Sequence, residues 1–253
     1  MSSPLPPPPE LRADQIALFL DVDGTLVEIE REPGAVRVPT QLHTVLDQLG
    51  AATEEALALV SGRSIEQLDR LFAPLQLSAA GLHGLERRNL RSGVVRIEPD
   101  AGVFVPARTS LEAFAARHEG VLLEDKGLTL ALHYRKAPEC RAEAERLVEA
   151  AVAESEGQLV LLAGKMVLEL KPPGADKGRA ITAFMEESPF RGRLPVFAGD
   201  DVTDEAGFAA INHLGGVSIR IGPDSPSTAA RYGLRDVNSM QDWLFDLLGA
   251  IAA

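Results

Sequence analysis

Leu18-Phe19-Leu20-Asp21-Val22-Asp23-Gly24-Thr25-Leu26 decides how the rest of this chain is read. Apolar residues run from Ile16 to Leu20 and then give way to two aspartates one residue apart, a glycine and a threonine. An all-apolar run of this length predicts a strand buried on both faces, as in a parallel sheet. Open parallel sheets carry their ligands at the carboxyl ends of the strands. Asp21 and Asp23 therefore stand where a ligand is expected. Taken alone, the pair suits a turn equally well, because Asp-Gly is a common turn dipeptide.

Outward from this stretch, a charged loop over 28–39 leads to a helix expected over 40–50, with Leu42, Val45, Leu46 and Leu49 on one face. Residues 56–60 predict a second buried strand, ending at Ser61-Gly62-Arg63-Ser64. Ser64 and Gln67 have the spacing of a capping box, opening a helix to about Phe72. A third strand over 77–81 runs into Leu82-His83-Gly84-Leu85-Glu86-Arg87-Arg88. Strand and helix alternate, which predicts an α/β fold with a doubly wound, Rossmann-like parallel-sheet core.

The rhythm changes near residue 90. Strands are expected over 94–97, 121–124, 128–134, 159–162 and 166–170, with helices over 106–118 and from Pro138 to Gly157. Short turns at 125–127 and 163–165 join neighbouring strands, so this stretch predicts an inserted α+β cap domain at 90–171. The core then spans 15–89 and 172–253. Its second half holds a helix from Lys177 to about Glu187 and a strand over 194–198 ending in Gly199-Asp200-Asp201-Val202-Thr203-Asp204-Glu205. A helix over 205–211, a strand over 217–221 and a last helix capped by Ser239 with Asp242 complete it.

Composition bounds the partners. The 253 residues carry a net charge of −12, which excludes the basic footprint a nucleic-acid binder needs. The single cysteine, Cys140, permits no internal disulfide and no cysteine metal site. It lies in a helix-like segment with no histidine close by in sequence, and is expected to be structural. A reducing, cytoplasmic location and a monomer are expected. No stretch is long and apolar enough to span a membrane. The leader, 1–14, has prolines from Pro6 to Pro9 and lacks the pattern of a signal peptide, so it predicts an extended, mobile segment.

Four clusters fall at carboxyl ends of core strands or at the helix start beside them: Asp21 with Asp23, Ser61, Lys177, and Asp200 with Asp201 and Asp204. Together they resemble the haloacid dehalogenase superfamily of aspartate-based phosphotransferases, in the right order through both core segments. The chemistry explains the residue types. A carboxylate nucleophile, assigned to Asp21, splits phosphate-ester hydrolysis into two easier steps through an aspartyl-phosphate. Asp23, two residues on, can protonate the leaving group and then activate water. That role calls for a raised pKa, expected from Asp21 and from burial. A carboxylate approaching a phosphate meets repulsion of about 4 kcal/mol at 4 Å and an effective dielectric of 20. A hard divalent cation, Mg²⁺, removes that obstacle. Its expected ligands are the Asp21 carboxylate, the Asp23 main-chain carbonyl and Asp200, with Asp204 behind them and Asp201 as third choice. Ser61 is expected to hydrogen-bond a phosphoryl oxygen. Lys177 opposes the helix dipole in a first turn, which suggests that it is kept to neutralise nucleophile and phosphate.

The insert lies between the Ser61 and Lys177 motifs, the position that marks sugar-phosphatase caps in this superfamily. Leu82-His83-Gly84-Leu85-Glu86-Arg87-Arg88, Leu132-His133-Tyr134-Arg135 and Gly164-Lys165-Met166-Val167-Leu168-Glu169-Leu170-Lys171-Pro172 resemble the trehalose-6-phosphate phosphatase family. That resemblance implies a phosphosugar substrate and a cap that closes over it. It implies that Lys165 and Glu169 bind sugar hydroxyls, and that Arg63, Glu86 and Arg88 contact the substrate from the core. The same chemistry on a mannosyl- or sucrose-phosphate is the nearest alternative. A non-catalytic sugar-phosphate sensor is a more distant one.

Overall fold

The structure, a computed structural model, describes residues 4–30, 35–97, 100–223 and 227–249. Part of the charged loop over 28–39 and the end of the last helix thus lie outside the described residues. The chain forms two compact units, residues 1–96 with 176–253, and residues 97–175.

The first unit is built on an eight-stranded sheet. Numbered along the chain, its strands are β1 (Ile16–Leu20), β2 (Leu57–Val60), β3 (Ser78–Gly81), β4 (Glu86–Asn89), β5 (Gly93–Arg96), β10 (Leu194–Gly199), β11 (Val217–Ile221) and β12 (Tyr232–Leu234). They run in the order β12-β11-β10-β1-β2-β3-β4-β5, parallel from β12 to β3 and antiparallel beyond. β1 is buried along its whole length, as its unbroken apolar run requires. Ile16, Leu18 and Leu20 join one core, together with Leu42, Val45, Leu46 and Leu49 of α1 (Thr40–Ala52), Leu68 of α2 (Ile65–Phe72) and Leu244 of α7 (Val237–Gly249). Ala17 and Phe19 join the other, with Phe184 of α5 (Lys177–Met185) and Phe208 of α6 (Glu205–His213). Helices on both faces make the sheet doubly wound. Phe19 stacks on Phe190 at 5.4 Å, and truncating a ring so placed costs about 3–5 kcal/mol.

The second unit is a four-stranded antiparallel sheet in the order β6-β7-β9-β8. These strands are β6 (Leu122–Asp125), β7 (Leu130–His133), β8 (Val160–Gly164) and β9 (Val167–Lys171). Leu130 and Leu132 of β7 and Leu168 and Leu170 of β9 pack on α3 (Val105–Arg117) and α4 (Arg141–Glu154). Ala131, His133 and Glu169 alternate onto the other face. This is the α+β unit expected from the short turns.

Four local expectations change. Gly93–Arg96, expected to open the insert, instead pairs with β4 as the outermost strand of the large sheet, so the second unit begins at Ile97. The described part of the leader, from residue 4 on, is held against the first unit rather than loose. Gly233 N–H donates to Pro6 O at 2.9 Å, and Leu5 packs against the core around Phe19. The last helix is capped by Asp236 rather than Ser239. Asp236 Oδ1 accepts from Ser239 N–H at 2.8 Å and from its hydroxyl at 2.7 Å. Those two bonds, with Arg235, hold the Asp236 carboxyl down at about 2. Finally, Cys140 has a histidine beside it in space, with His118 Nδ1 3.5 Å from its Sγ; both belong to the second unit's packing.

Candidate active site

β1 lies between β10 and β2, so the chain winds outward from it in both directions. This switch in strand order opens a crevice at the carboxyl ends of these strands. Asp21 follows β1, Ser61 follows β2, and Asp200 follows β10. Asp21 N–H donates to Ala198 O at 3.0 Å, which ties the loop after β1 to β10. Thr25 Oγ1 donates to Asp21 Oδ2 at 3.1 Å. Gly24 has φ +88°, and a Cβ there would lie 2.3 Å from Asp200 Oδ2, so only glycine lets the loop close on Asp200.

Lys177 opens α5, whose N-cap Asp176 accepts Arg179 N–H at 2.8 Å. Its Nζ is buried and donates to Asp21 Oδ1 at 2.7 Å and to Asp204 Oδ1 at 2.6 Å. Asp204 Oδ2 accepts the N–H groups of Asp200 at 2.9 Å and Asp201 at 2.8 Å. Asp204 thus reaches back from the helix side to shape the loop that presents Asp200. Asp201 is half exposed and turns its carboxylate to Val202 N–H instead.

Burial works against the Lys177 ammonium, but Asp204 and Asp21 outweigh it and hold its pKa above the ordinary lysine value. Burial pushes the Asp21 carboxyl well up. Lys177 opposes this, while Asp204 and Asp200 add to it. Asp21, Asp200 and Asp204 each place a carboxylate oxygen within 4.8 Å of the others, all buried. Three buried carboxylates against one lysine leave a surplus of negative charge, with an all-oxygen donor set. That set fits a hard divalent cation, whose charge would oppose the upward push that burial and the neighbouring carboxylates exert on Asp21.

Asp23 differs from expectation. It is not buried, its side chain remaining 32% exposed, and the burial expected around it falls on Asp21. Arg63 grips it, Nε to Oδ2 and Nη2 to Oδ1, both at 2.7 Å. Ser61 is buried, and its Oγ accepts Arg63 N–H at 3.2 Å. The capping box of Ser64 and Gln67 forms as expected just beyond it.

The trehalose-phosphatase family model matches residues 19–238. A probable trehalose-phosphate phosphatase of Sinorhizobium fredii is 46% identical over 217 residues, covering 86% of this chain and 82% of that one. The trehalose-6-phosphate phosphatase of Escherichia coli is 44% identical over 246 residues, covering 96% of this chain and 90% of that one. This chain belongs to the trehalose-phosphatase family. Among solved structures, the C-terminal domain of C. albicans trehalose-6-phosphate phosphatase aligns with a TM-score of 0.83 over 96% of this chain and 98% of that one. At 22% identity that likeness speaks for the fold.

The remaining candidates of this trehalose-phosphatase family member are spread out. Glu86 is buried and serves the core: its Oε1 accepts Ile65 N–H at the start of α2, and its Oε2 meets Arg96 at 3.3 Å. Arg88 is turned to α2 and the residue before β3, bidentate to Asp69 at 2.7 and 2.6 Å and bonded to Leu77 O. Both side chains, expected at the substrate, are committed to scaffold contacts. In the second unit, Glu169 is buried on β9 with Lys126 Nζ 3.5 Å from its Oε2. Lys165 is exposed in the turn between β8 and β9, and its carbonyl accepts Arg135 Nη2 at 3.0 Å. His133 Nε2 lies 3.0 Å from Glu124 Oε2. Lys126 was not foreseen: in the sequence it is one more lysine in a turn between Asp125 and Gly127, and only the pairing of β7 with β9 brings it to Glu169.

Proposed function

We propose that this chain hydrolyses trehalose 6-phosphate to trehalose and phosphate, using a divalent cation, Mg²⁺. The observation that carries the chemistry is Lys177 bonded to both Asp21 and Asp204 in a buried acidic cluster. The sugar follows from the E. coli relative, 44% identical over 96% of this chain.

In this scheme Asp21 attacks phosphorus and becomes an aspartyl-phosphate while the P–O bond to the sugar breaks. Asp23 gives its proton to the departing alkoxide, then takes one from the water that cleaves the intermediate. Arg63 orients Asp23 between those events and contacts the phosphoryl group. The Ser61 hydroxyl donates to a phosphoryl oxygen, and Lys177 offsets charge on Asp21 and the phosphate. A cation held by Asp21, the Asp23 carbonyl and Asp200, with Asp204 behind them, supplies the positive charge that lets carboxylate and phosphate approach. Lys165 and Glu169 remain the sugar contacts in this scheme, while Glu86 and Arg88 support the loops. The free thiol of Cys140 fits a cytoplasmic setting, and no helix among the described residues is long and apolar enough to cross a membrane.

The test is phosphate release from trehalose 6-phosphate and a panel of other sugar phosphates, with Mg²⁺ or with chelator. Fast, Mg²⁺-dependent turnover of trehalose 6-phosphate is expected, lost in Asp21→Asn. Faster turnover of a sucrose- or mannosyl-phosphate would overturn the sugar, and full activity in Asp21→Asn would overturn the nucleophile.

A further inference from the structure

The segment between β3 and β4 holds a run of unusual backbone. Leu82 has φ +50° and His83 φ +56°, followed by Gly84 at +96°. The left-handed region is uncommon for residues with side chains and is strained where it persists. Both Leu82 and His83 are buried. Such strain survives only where the surroundings enforce it, and the surroundings here are the two loops that carry Ser61 and Lys177.

On one side, the turn holds the Ser61 loop. His83 N–H donates to Ser61 O at 3.0 Å, and Leu82 N–H to Arg63 O at 2.9 Å. The His83 ring lies against Gly62, where an added Cβ would sit 2.7 Å from Nε2 and 2.8 Å from Cε1. On the other side, the turn abuts the start of α5. A Cβ on Gly84 would lie 3.0 Å from Asp176 O and 3.1 Å from Ala180 Cβ. Asp176 caps the helix that begins with Lys177.

We propose that the left-handed turn Leu82–His83–Gly84 is a spacer that sets the separation of Ser61 from Lys177, with His83 as a positioning residue acting through Gly62 and the Ser61 carbonyl. His83 touches no reacting atom in this role. The ring and the strained backbone keep the Ser61 loop from relaxing toward α5. The proposal rests on the phosphatase chemistry above but is indifferent to the sugar.

The experiment uses p-nitrophenyl phosphate hydrolysis and inhibition by orthovanadate, an oxyanion of the size the Ser61 loop would bind. His83→Ala is expected to lower kcat about 10–100-fold, the cost of misplacing a group by a fraction of an ångström to an ångström. The vanadate inhibition constant should rise about tenfold, with the melting temperature little changed. His83→Asn keeps a residue that accepts the left-handed backbone, and should retain more activity than His83→Ala. If His83→Ala does not fold, His83→Asn carries the test. Gly62→Ala alone drives a methyl into the ring, whereas in the His83→Ala background the space is vacant. The double variant should therefore recover part of the kcat that Gly62→Ala loses. Independent, multiplicative effects of the two substitutions would overturn the proposal, as would unchanged kcat and vanadate inhibition in both His83 variants. Wild type that cleaves p-nitrophenyl phosphate but not trehalose 6-phosphate would overturn only the sugar assignment. Wild type that cleaves neither would overturn both.

Discussion

Arg63 lies along Asp23 with two parallel bonds, Nε to Oδ2 and Nη2 to Oδ1, each 2.7 Å long. The residues are 40 apart in sequence and come from the ends of neighbouring strands. A planar fork fixes both the position and the plane of the carboxylate, which a lysine cannot do. If Asp23 is the proton donor proposed above, Arg63→Ala is expected to cut kcat for trehalose 6-phosphate about 10–100-fold, less than the roughly 10²–10⁴-fold that acid–base catalysis contributes, because Asp23 itself remains. Arg63→Lys should restore less than a tenth of the lost rate. Steady-state kinetics decide it, and equal kcat in wild type and Arg63→Ala would mean that Asp23 needs no support.

The acidic cluster should make stability depend on Mg²⁺. Binding at 100 times the dissociation constant stabilises by about 2.7 kcal/mol. For a chain of this size that is a rise of roughly 5–10 °C in melting temperature. Asp200→Asn removes one of the three clustered carboxylates and should abolish the rise while leaving the metal-free protein folded. Scanning calorimetry with and without Mg²⁺ measures both, and an Asp200→Asn protein that still gains the full shift would place the cation elsewhere.

Asp204 should matter more to folding than its neighbours. It is fully buried, bonded to Lys177 through one oxygen and to two backbone N–H groups through the other. Asp204→Ala takes all three bonds away and leaves the Lys177 ammonium with Asp21 as its one remaining carboxylate partner in the cluster. Breaking a buried pair in this way costs about 3–5 kcal/mol. Urea unfolding should show that loss, and a midpoint unchanged from wild type would contradict it.

Glu187 gives a pH signature away from the active centre. Arg87, opposed by partial burial and then joined by Asn89 and Ser92, holds its carboxyl down at about 2 from an ordinary 4.5. A lowered folded-state value means the contribution is complete above about 4.5 and fades as pH falls toward about 2. With its side chain 30% exposed, a contribution of about 1 kcal/mol is reasonable. Wild type should therefore melt above Glu187→Gln at pH 7, and the gap should close between about pH 4.5 and 2. A gap independent of pH would assign the effect to shape rather than charge.

How much was legible in the chain depended on the range of the cause. The run before Asp21, the capping box at Ser64 and the one-sided helix at Thr40 are local patterns, and all three formed. The order of motifs placed Asp21, Ser61 and Asp200 at the ends of the right strands and Lys177 at the start of the helix beside them. Contacts set by strand pairing were not visible. Nothing around Arg88 signals that Asp69 will take its guanidinium, and nothing around Glu86 signals that Ile65 N–H needs an acceptor. Gly93–Arg96 reads as a strand from its own residues, but its partner, β4, is a run of charged and polar side chains with no apolar pattern to announce it. Asp23 shows the same limit, since spacing gives its distance from Asp21 but not its exposure.

The pairing of β1 has a consequence for how the chain is made. Its partner on one side, β2, is synthesised within about forty residues, but its partner on the other side, β10, begins only at Leu194. At about 5–20 residues per second, the emerging polypeptide spends on the order of ten seconds with an open, wholly apolar edge at Ile16–Leu20. During that interval Asp21 N–H lacks its acceptor, Ala198 O, and the acidic cluster does not exist. Catalytic competence is therefore among the last properties the nascent chain acquires. An unpaired apolar edge invites pairing with other chains, so a fragment that ends before residue 194 would be inactive and prone to aggregate.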